Sequence, residues 1–400
     1  MSKLENLIAE FCPNGVPYKA LGELGYFYGG LSGKTKEDFT KGNAKLITYM
    51  NVYSNLAIDT DIKDWVRIGE EENQNTVQYG DVLFTGSSET LEECGMSSVL
   101  TEQTGEKLYL NSFCFGFRFY DNTLLLPDFT KYLFRSKKVR QQIKATANGV
   151  TRFNVSKKKM EEVLIPLPPR PVQQEIFRIL DCLTKAVTEL TTELAAELAA
   201  RKNQYEYYRD FLMTFDEEVE WKTLGEVAIN HDAKRKPVPK EKRQAGKYPY
   251  YGASGIVDYV SAYIFDGDYL LVSEDGANLL SRVTPIAFSA SGKIWVNNHA
   301  HVLEFKTYAE RKFVEYYLNM IDLRRFISSA AQPKLTQENL NKIPVPDPPF
   351  PEKQRIVAIL DRYEALYKDL ASSIPAEIEA RQKQYEYFRD KLLSFKELVK

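Results

Sequence analysis

Few residues in this chain have types and spacing that could support chemistry, and most of those lack a partner they would need. Gly29-Gly30-Leu31-Ser32-Gly33-Lys34-Thr35 approaches the phosphate-cradling pattern GxxxxGK[ST]. Tyr28, however, stands where the first glycine must let the backbone wrap a phosphate, and no nucleotide-binding βαβ context surrounds it. The better functional reading is a loop that turns Lys34, Lys36 and its backbone amides toward a nucleic-acid phosphate or base. His299 and His301, two apart, would share one face of a strand and could begin a metal site. With no cysteine partner and only His231 besides, strand packing or polar contacts are expected and no metal is assigned. No Ser/His/Asp set, HExxH motif or carboxylate constellation justifies naming a catalytic residue, and no cofactor is expected.

Asp347-Pro348-Pro349-Phe350 matches the [DNS]PP[YF] pattern that holds a target base's exocyclic amine, which would make the chain a DNA adenine methyltransferase. Its counterpart in an internal repeat, Leu167-Pro168-Pro169-Arg170, lacks both the acid and the aromatic, and no glycine-rich cofactor loop follows a plausible strand. A proline linker is the preferred reading, with the methyltransferase kept as the alternative. Two basic clusters carry more weight. Between Asp128 and Glu161 there is no acid, while Lys138, Arg140 and Arg152 fall there among seven other cations. The second cluster includes Lys234 and Arg235. Both lie among Tyr, Phe, Asn and Gln, side chains that can stack on or hydrogen-bond to bases. Read as a DNA binder, the chain would make its contacts through Lys34, Lys36, Lys138, Arg140 and Arg152 in the first region. In the second they would be Lys234, Arg235, Arg282, Arg325 and Lys334.

The elements that would position these residues are written twice. Arg201-Lys202-Asn203-Gln204-Tyr205-Glu206-Tyr207-Tyr208-Arg209-Asp210 returns 180 residues later as Arg381-Gln382-Lys383-Gln384-Tyr385-Glu386-Tyr387-Phe388-Arg389-Asp390. The same offset holds without a gap from Val172 to Phe215, with 18 identities in 44 positions. Ile176, Leu180, Leu183, Val187, Leu190 and Leu194 advance by four and three, the seam of a heptad repeat, and Ile356 to Leu392 repeats it. Two long helices are predicted, the second kinked or interrupted at Pro375. A proline cluster precedes each and reads as a stiff connector. Tyr18-Lys19-Ala20-Leu21-Gly22-Glu23 and Trp221-Lys222-Thr223-Leu224-Gly225-Glu226 open two β-rich regions. Each region should hold one helical stretch, near Phe129 to Ala147 and near Arg311 to Ser328.

The bulk numbers fit this plan. Four hundred residues, 44% hydrophobic, suffice for several cores. Cys12, Cys94, Cys114 and Cys182 show no paired spacing, and no run approaches eighteen apolar residues, so a cytoplasmic chain without a membrane segment is expected. A net charge of -2 argues against a general polyanion coat, so any nucleic-acid contact must come from local clusters.

With these residues in hand, the chain resembles the specificity subunit of type I restriction-modification systems. The resemblance rests on the ordered duplication of the Lys-x-Leu-Gly-Glu openings, the proline connectors, Ile-Leu-Asp at 179–181 and 359–361, and the QYEY[YF]RD segment, with Tyr250 to Ile256 also typical. It implies an α+β fold: two β-rich target-recognition domains with small helices, separated by two long α-helices packed as an antiparallel coiled coil, pseudo-two-fold. Domain bounds would be 1–165, 166–217, 218–343 and 344–400. It further implies a non-catalytic subunit that reads bipartite double-stranded DNA and partners two methyltransferase subunits and restriction (motor-nuclease) subunits.

Overall fold

Helices α1 (Arg170–Met213) and α2 (Phe350–Leu392) span 44 and 43 residues, about 65 Å each at 1.5 Å per residue. Both start just after the proline pair of their connector, and Pro171 and Pro351 sit second in the helix, where a missing N–H costs nothing. Pro375 does not interrupt α2, contrary to expectation: the helix runs through it. Proline withholds only one intrahelical donor, and buried Ile356, Leu360 and Ile374 tie the helix down on its apolar stripe. The computed structural model describes residues 2–216, 218–328 and 332–398. The chain forms two units, Met1–Thr192 with Glu377–Lys400, and Glu193–Ala376, so each contains part of both long helices.

In the first unit, Gly25–Gly29, Cys114–Phe119, Val82–Thr85 and Ser97–Val99 form, in that order, an antiparallel sheet. A second sheet runs Trp65–Val66, Ala44–Ile47, Leu108–Leu110, Thr76–Val77, and its central pair is parallel. The short strands Ala147–Asn148, Phe153–Val155 and Ser87–Ser88 form a third. The predicted helical stretch is two helices, Pro127–Leu133 and Lys137–Ala145, broken before Ser136. Phe84, Phe115, Phe117, Phe129, Tyr132 and Phe134 close the core against Val172, Ile176 and Leu180 of α1. The core of the β-rich region and the helix are therefore one hydrophobic body in this unit. Further along, Thr184 of α1 reaches the Tyr385 hydroxyl of α2 at 3.0 Å.

In the second unit a six-stranded sheet runs Ile229–Asn230, Ala300–Glu304, Phe265–Ser273, Ala287–Val296, Ala245–Gly252, Gly255–Val260. Its one parallel pair joins Ala245–Gly252 to Ala287–Val296. The helix Tyr308–Met320 packs on it through Phe313 and Tyr317, and Ile356, Val357 and Leu360 of α2 join the same core. Tyr205 stacks on Tyr367 at 6.1 Å and Tyr208 on Tyr363 at 5.0 Å. Numbers rise on one helix as they fall on the other, so the two run antiparallel here.

The connectors are strands rather than free extended chain. Leu164–Pro166 pairs with the Tyr18–Ala20 opening, and Pro344–Pro346 pairs with Trp221–Thr223, in the same register: Tyr18 faces Pro166 and Trp221 faces Pro346. Proline is tolerated because each ladder is a two-stranded edge. Each repeated Lys-x-Leu-Gly-Glu opening thus serves to hold the start of its own long helix. Within the first unit the chain ends also meet, with Val16 N donating to Lys396 O at 2.9 Å.

Candidate nucleic-acid interface

The ten cations proposed from sequence divide by what they already hold. In the first unit, Lys34 gives its ammonium to Glu72 at 2.5 Å and to the Arg67 carbonyl at 2.6 Å, with 8% of its side chain exposed. Lys34 is the main reason the Glu72 carboxyl falls to about 2, with the Gly69 amide and Gln74 adding to it. Gln74 closes the same loop by bonding both the N–H and the carbonyl of Ser32. The phosphate-loop lookalike is a pinned turn whose lysine is spent. Arg140 donates to the carbonyls of Gly95, Cys94 and Glu92 at 2.5, 2.7 and 3.0 Å, and burial pushes its guanidinium below its ordinary value. Lys36, Lys138 and Arg152 are exposed. Lys138 lies 5.3 Å above the Tyr18 ring, and Arg152 donates to Ser87 Oγ at 3.2 Å.

The acid-free basic stretch is less positive in space than along the chain. Lys144 pairs with Glu92 at 2.7 Å and Lys131 with Asp128 at 3.0 Å. Glu92 lies 52 residues away in sequence, so no local charge count could have found it.

In the second unit, Arg235 meets Glu274 at 2.5 Å and Asp232 at 3.3 Å, while Lys334 reaches the other Glu274 oxygen at 3.1 Å. Arg282, whose φ of 51° puts it in the left-handed region, donates to the Leu318 and Ile321 carbonyls at 3.1 and 3.0 Å. Lys234 and Arg325 are exposed on short 3-10 turns, the latter over the Phe326 ring. Of the ten candidates, the structure brings Arg235 and Lys334 together, on Glu274.

That network answers the histidine question. His299 and His301 do not share a strand face: the strand begins at Ala300, His299 is half exposed beside Asp275, and His301 is fully buried. Asp232, Glu274 and His301 gather their ligand atoms within 4.8 Å, a grouping that invites a metal. Yet His301 Nδ1 faces Asp232 Oδ2 at 2.5 Å and Nε2 faces the Leu335 carbonyl at 2.8 Å. Each ring nitrogen is thus occupied by an oxygen of the protein, which leaves neither turned toward a cation. Burial pushes the Asp232 carboxyl up, but His301, the Val302 amide and Arg235 outweigh it and leave it lowered. The cluster is an internal ion-pair lattice.

Asp347, the acid of the alternative methyltransferase reading, is equally committed. Both of its carboxylate oxygens are taken, by Lys222 and Lys353, and its amide donates to Glu220 O at 2.7 Å. At the matching place in the first unit, buried Gln173 holds the connector by bonding the Pro168 carbonyl at 2.7 Å and the Leu126 amide at 2.8 Å. The DPPF segment is a linker clamp and does not make the chain a methyltransferase.

One feature of the first unit lay outside the sequence expectations: a cleft of about 620 Å³ lined by Tyr49, Tyr53, Ser87, Phe113 and Arg152 among others. Its only signal was the hydroxyl-rich run Thr85-Gly86-Ser87-Ser88 closing an apolar strand.

A duplicated opening, connector and long helix, each tied to its own β-rich region, defines a class of two-module specificity proteins. The chain belongs to the family described as type I restriction modification DNA specificity domain, whose model matches it twice, at residues 13–200 and 216–380. It is 42% identical over 187 residues to the putative type I restriction enzyme specificity subunit S.HindORF215P of Haemophilus influenzae, covering 46% of this chain and 48% of that one. It is 34% identical over 270 residues to the EcoR124I/EcoR124II specificity subunit of Escherichia coli, covering 60% and 65%. The chain thus spans about half to two thirds of these relatives. Among solved structures, a chain from a description of complex assembly and conformational transition of the type I R-M system superposes with a TM-score of 0.71 at 18% identity, covering 95% of this chain and 98% of that one. The HsdS subunit from Thermoanaerobacter tengcongensis gives 0.56 at 18%, covering 96% and 97%. Both likenesses bear on the fold, which is the α+β arrangement with two long helices expected from sequence. No helix among the described residues is long and apolar enough to cross a membrane.

Proposed function

We propose that this chain is the non-catalytic DNA-specificity subunit of a type I restriction-modification system. It reads a bipartite double-stranded target with recognition domains at 1–165 and 218–343, carried by connector and helix segments at 166–217 and 344–400. It works in the cytoplasm with two methyltransferase subunits and restriction (motor-nuclease) subunits. The observation that supports this most is the strand pairing of opening and connector in identical register in both units, while the β regions between them differ in strand number and order. A frame kept twice around two unlike surfaces suits a reader of two unlike half-sites.

On this reading the exposed cations Lys36, Lys138, Arg152, Lys234, Arg325 and Lys334 supply DNA contacts. Lys34, Arg140, Arg235 and Arg282, already bonded internally, hold the surfaces that present them. Phosphate neutralisation of this kind makes affinity fall steeply with salt. The test is genome-wide adenine methylation with and without the gene: a split motif should vanish on deletion and return on complementation. An unchanged methylation profile would overturn the proposal.

A further inference from the structure

The two recognition regions share more than their edges. In the first unit, Gly86 N donates to Phe113 O at 2.7 Å, Val155 N to Gly86 O at 3.0 Å, and Phe113 N to the Asn111 side chain at 2.9 Å. In the second, Glu274 N donates to His299 O at 2.9 Å, Leu335 N to Glu274 O at 2.7 Å, and His299 N to the Asn297 side chain at 2.8 Å. The next residue is paired alike: Ser87 faces Asn154, and Asp275 faces Lys334. One backbone cradle is therefore built twice, from an Asx turn, a strand end and an incoming edge segment.

What the cradle carries is different in each unit. In the first it presents Ser87, exposed Phe113 and exposed Arg152, whose guanidinium holds one partner among the described residues, the Ser87 hydroxyl. Arg152 also lines the cleft with Tyr49, and Gly149 at φ 132° forms the tight turn before it, where a side chain would strike the Arg152 carbonyl. In the second unit the same places hold Asp275, with His299 Nδ1 at 2.8 Å, and exposed Gln332 two residues before Lys334. The first cradle offers a nearly free donor fork, and the second offers a carboxylate acceptor beside an imidazole.

We propose that this cradle is the base-reading locus of each region. Arg152 donates to the O6 and N7 acceptors of a guanine in one half-site, and Asp275 accepts from the amino group of a cytosine or adenine in the other. The proposal rests on the DNA-specificity reading above and assigns that specificity to particular side chains. One backbone cradle carrying different side chains lets two half-sites differ while the cradle itself stays the same.

The experiment selects bound duplexes from a random-sequence pool with the full chain and the type I methyltransferase of its genome, then repeats the selection with Arg152→Ala, Arg152→Lys, Asp275→Asn and Lys36→Ala. Arg152→Ala should lower the preference for one guanine by about 5- to 150-fold and leave the other half of the motif intact, which also controls for folding. Arg152→Lys keeps the charge but not the fork and should lose the same preference with less loss of affinity. Asp275→Asn should alter one position in the opposite half. Lys36→Ala should weaken all sequences alike. Variants that bind with every wild-type preference kept, or that lose both halves together, overturn the assignment. A wild-type chain that selects no motif overturns the DNA-specificity reading itself.

Discussion

Arg140 and Lys138 lie two residues apart in the same basic stretch, and sequence treats them alike, but the structure gives them opposite roles. Arg140 caps three backbone carbonyls, those of Gly95, Cys94 and Glu92. The first of these belongs to Gly95, at φ 63° in a left-handed turn. Charged hydrogen bonds contribute about 1.5–3 kcal/mol each, but desolvating a guanidinium offsets part of that, so Arg140→Ala should cost about 3 kcal/mol in total. For a unit of this size that lowers Tm by about 6–12 °C. Lys138 is exposed and, among the described residues, its ammonium rests on the Tyr18 face, so Lys138→Ala should stay within about 0.5 kcal/mol. Differential scanning calorimetry measures both. Binding separates them again: Lys138→Ala should reduce the slope of log K against log salt by about 0.9 if it neutralises a phosphate, and Arg140→Ala should leave the slope alone. An Arg140→Ala protein with unchanged Tm and a reduced salt slope would refute this division of roles.

Three further outcomes follow from named contacts. His301→Leu leaves Asp232 buried with Arg235 and the Val302 amide but without its imidazole partner and should destabilise by about 3–5 kcal/mol, whereas zinc or a chelator should leave the melting of the wild-type chain unmoved. Glu175, bonded by Arg178 and Lys3, has its carboxyl held down at about 2. A carboxyl lowered on folding stabilises above its unfolded value and loses that contribution as pH falls toward the folded one, so the wild type should lose stability between about pH 4.5 and 2 relative to Glu175→Gln, measured by denaturant titration at each pH. Pro375→Ala restores a donor inside a continuous helix and should raise stability by about 1–3 kcal/mol, read as a higher urea midpoint at constant slope.

The helices, their apolar seam and the β-rich character of both regions were legible because they rest on periodicity, which a single sequence displays. Which cations are free was not, because the partners of Lys34, Arg140 and Arg282 lie roughly 35 to 50 residues away and all three bind carbonyls, groups every residue has. Pro375 misled because helix propensity was weighed without the packing that overrides it. The paired histidines misled because a strand was assumed to begin one residue too early.

The larger omission concerns the regions between opening and connector, which differ by 23 residues in length and look unrelated. Their common cradle is recorded in backbone hydrogen bonds, and a backbone amide accepts almost any side chain. Asn111 and Asn297 are its one conserved chemical trace, since an Asx turn needs a short side chain carrying an oxygen. A fixed frame also has a physical advantage for reading DNA. A base edge is recognised by donors and acceptors set opposite its own, so changing Ser87, Phe113 or Arg152 on an unmoved backbone alters which base fits. Moving the backbone instead would lose the fit to every base. Divergence of specificity is therefore expected at side chains seated on this cradle, with Asn111, Asn297 and the strand ends held constant beneath them.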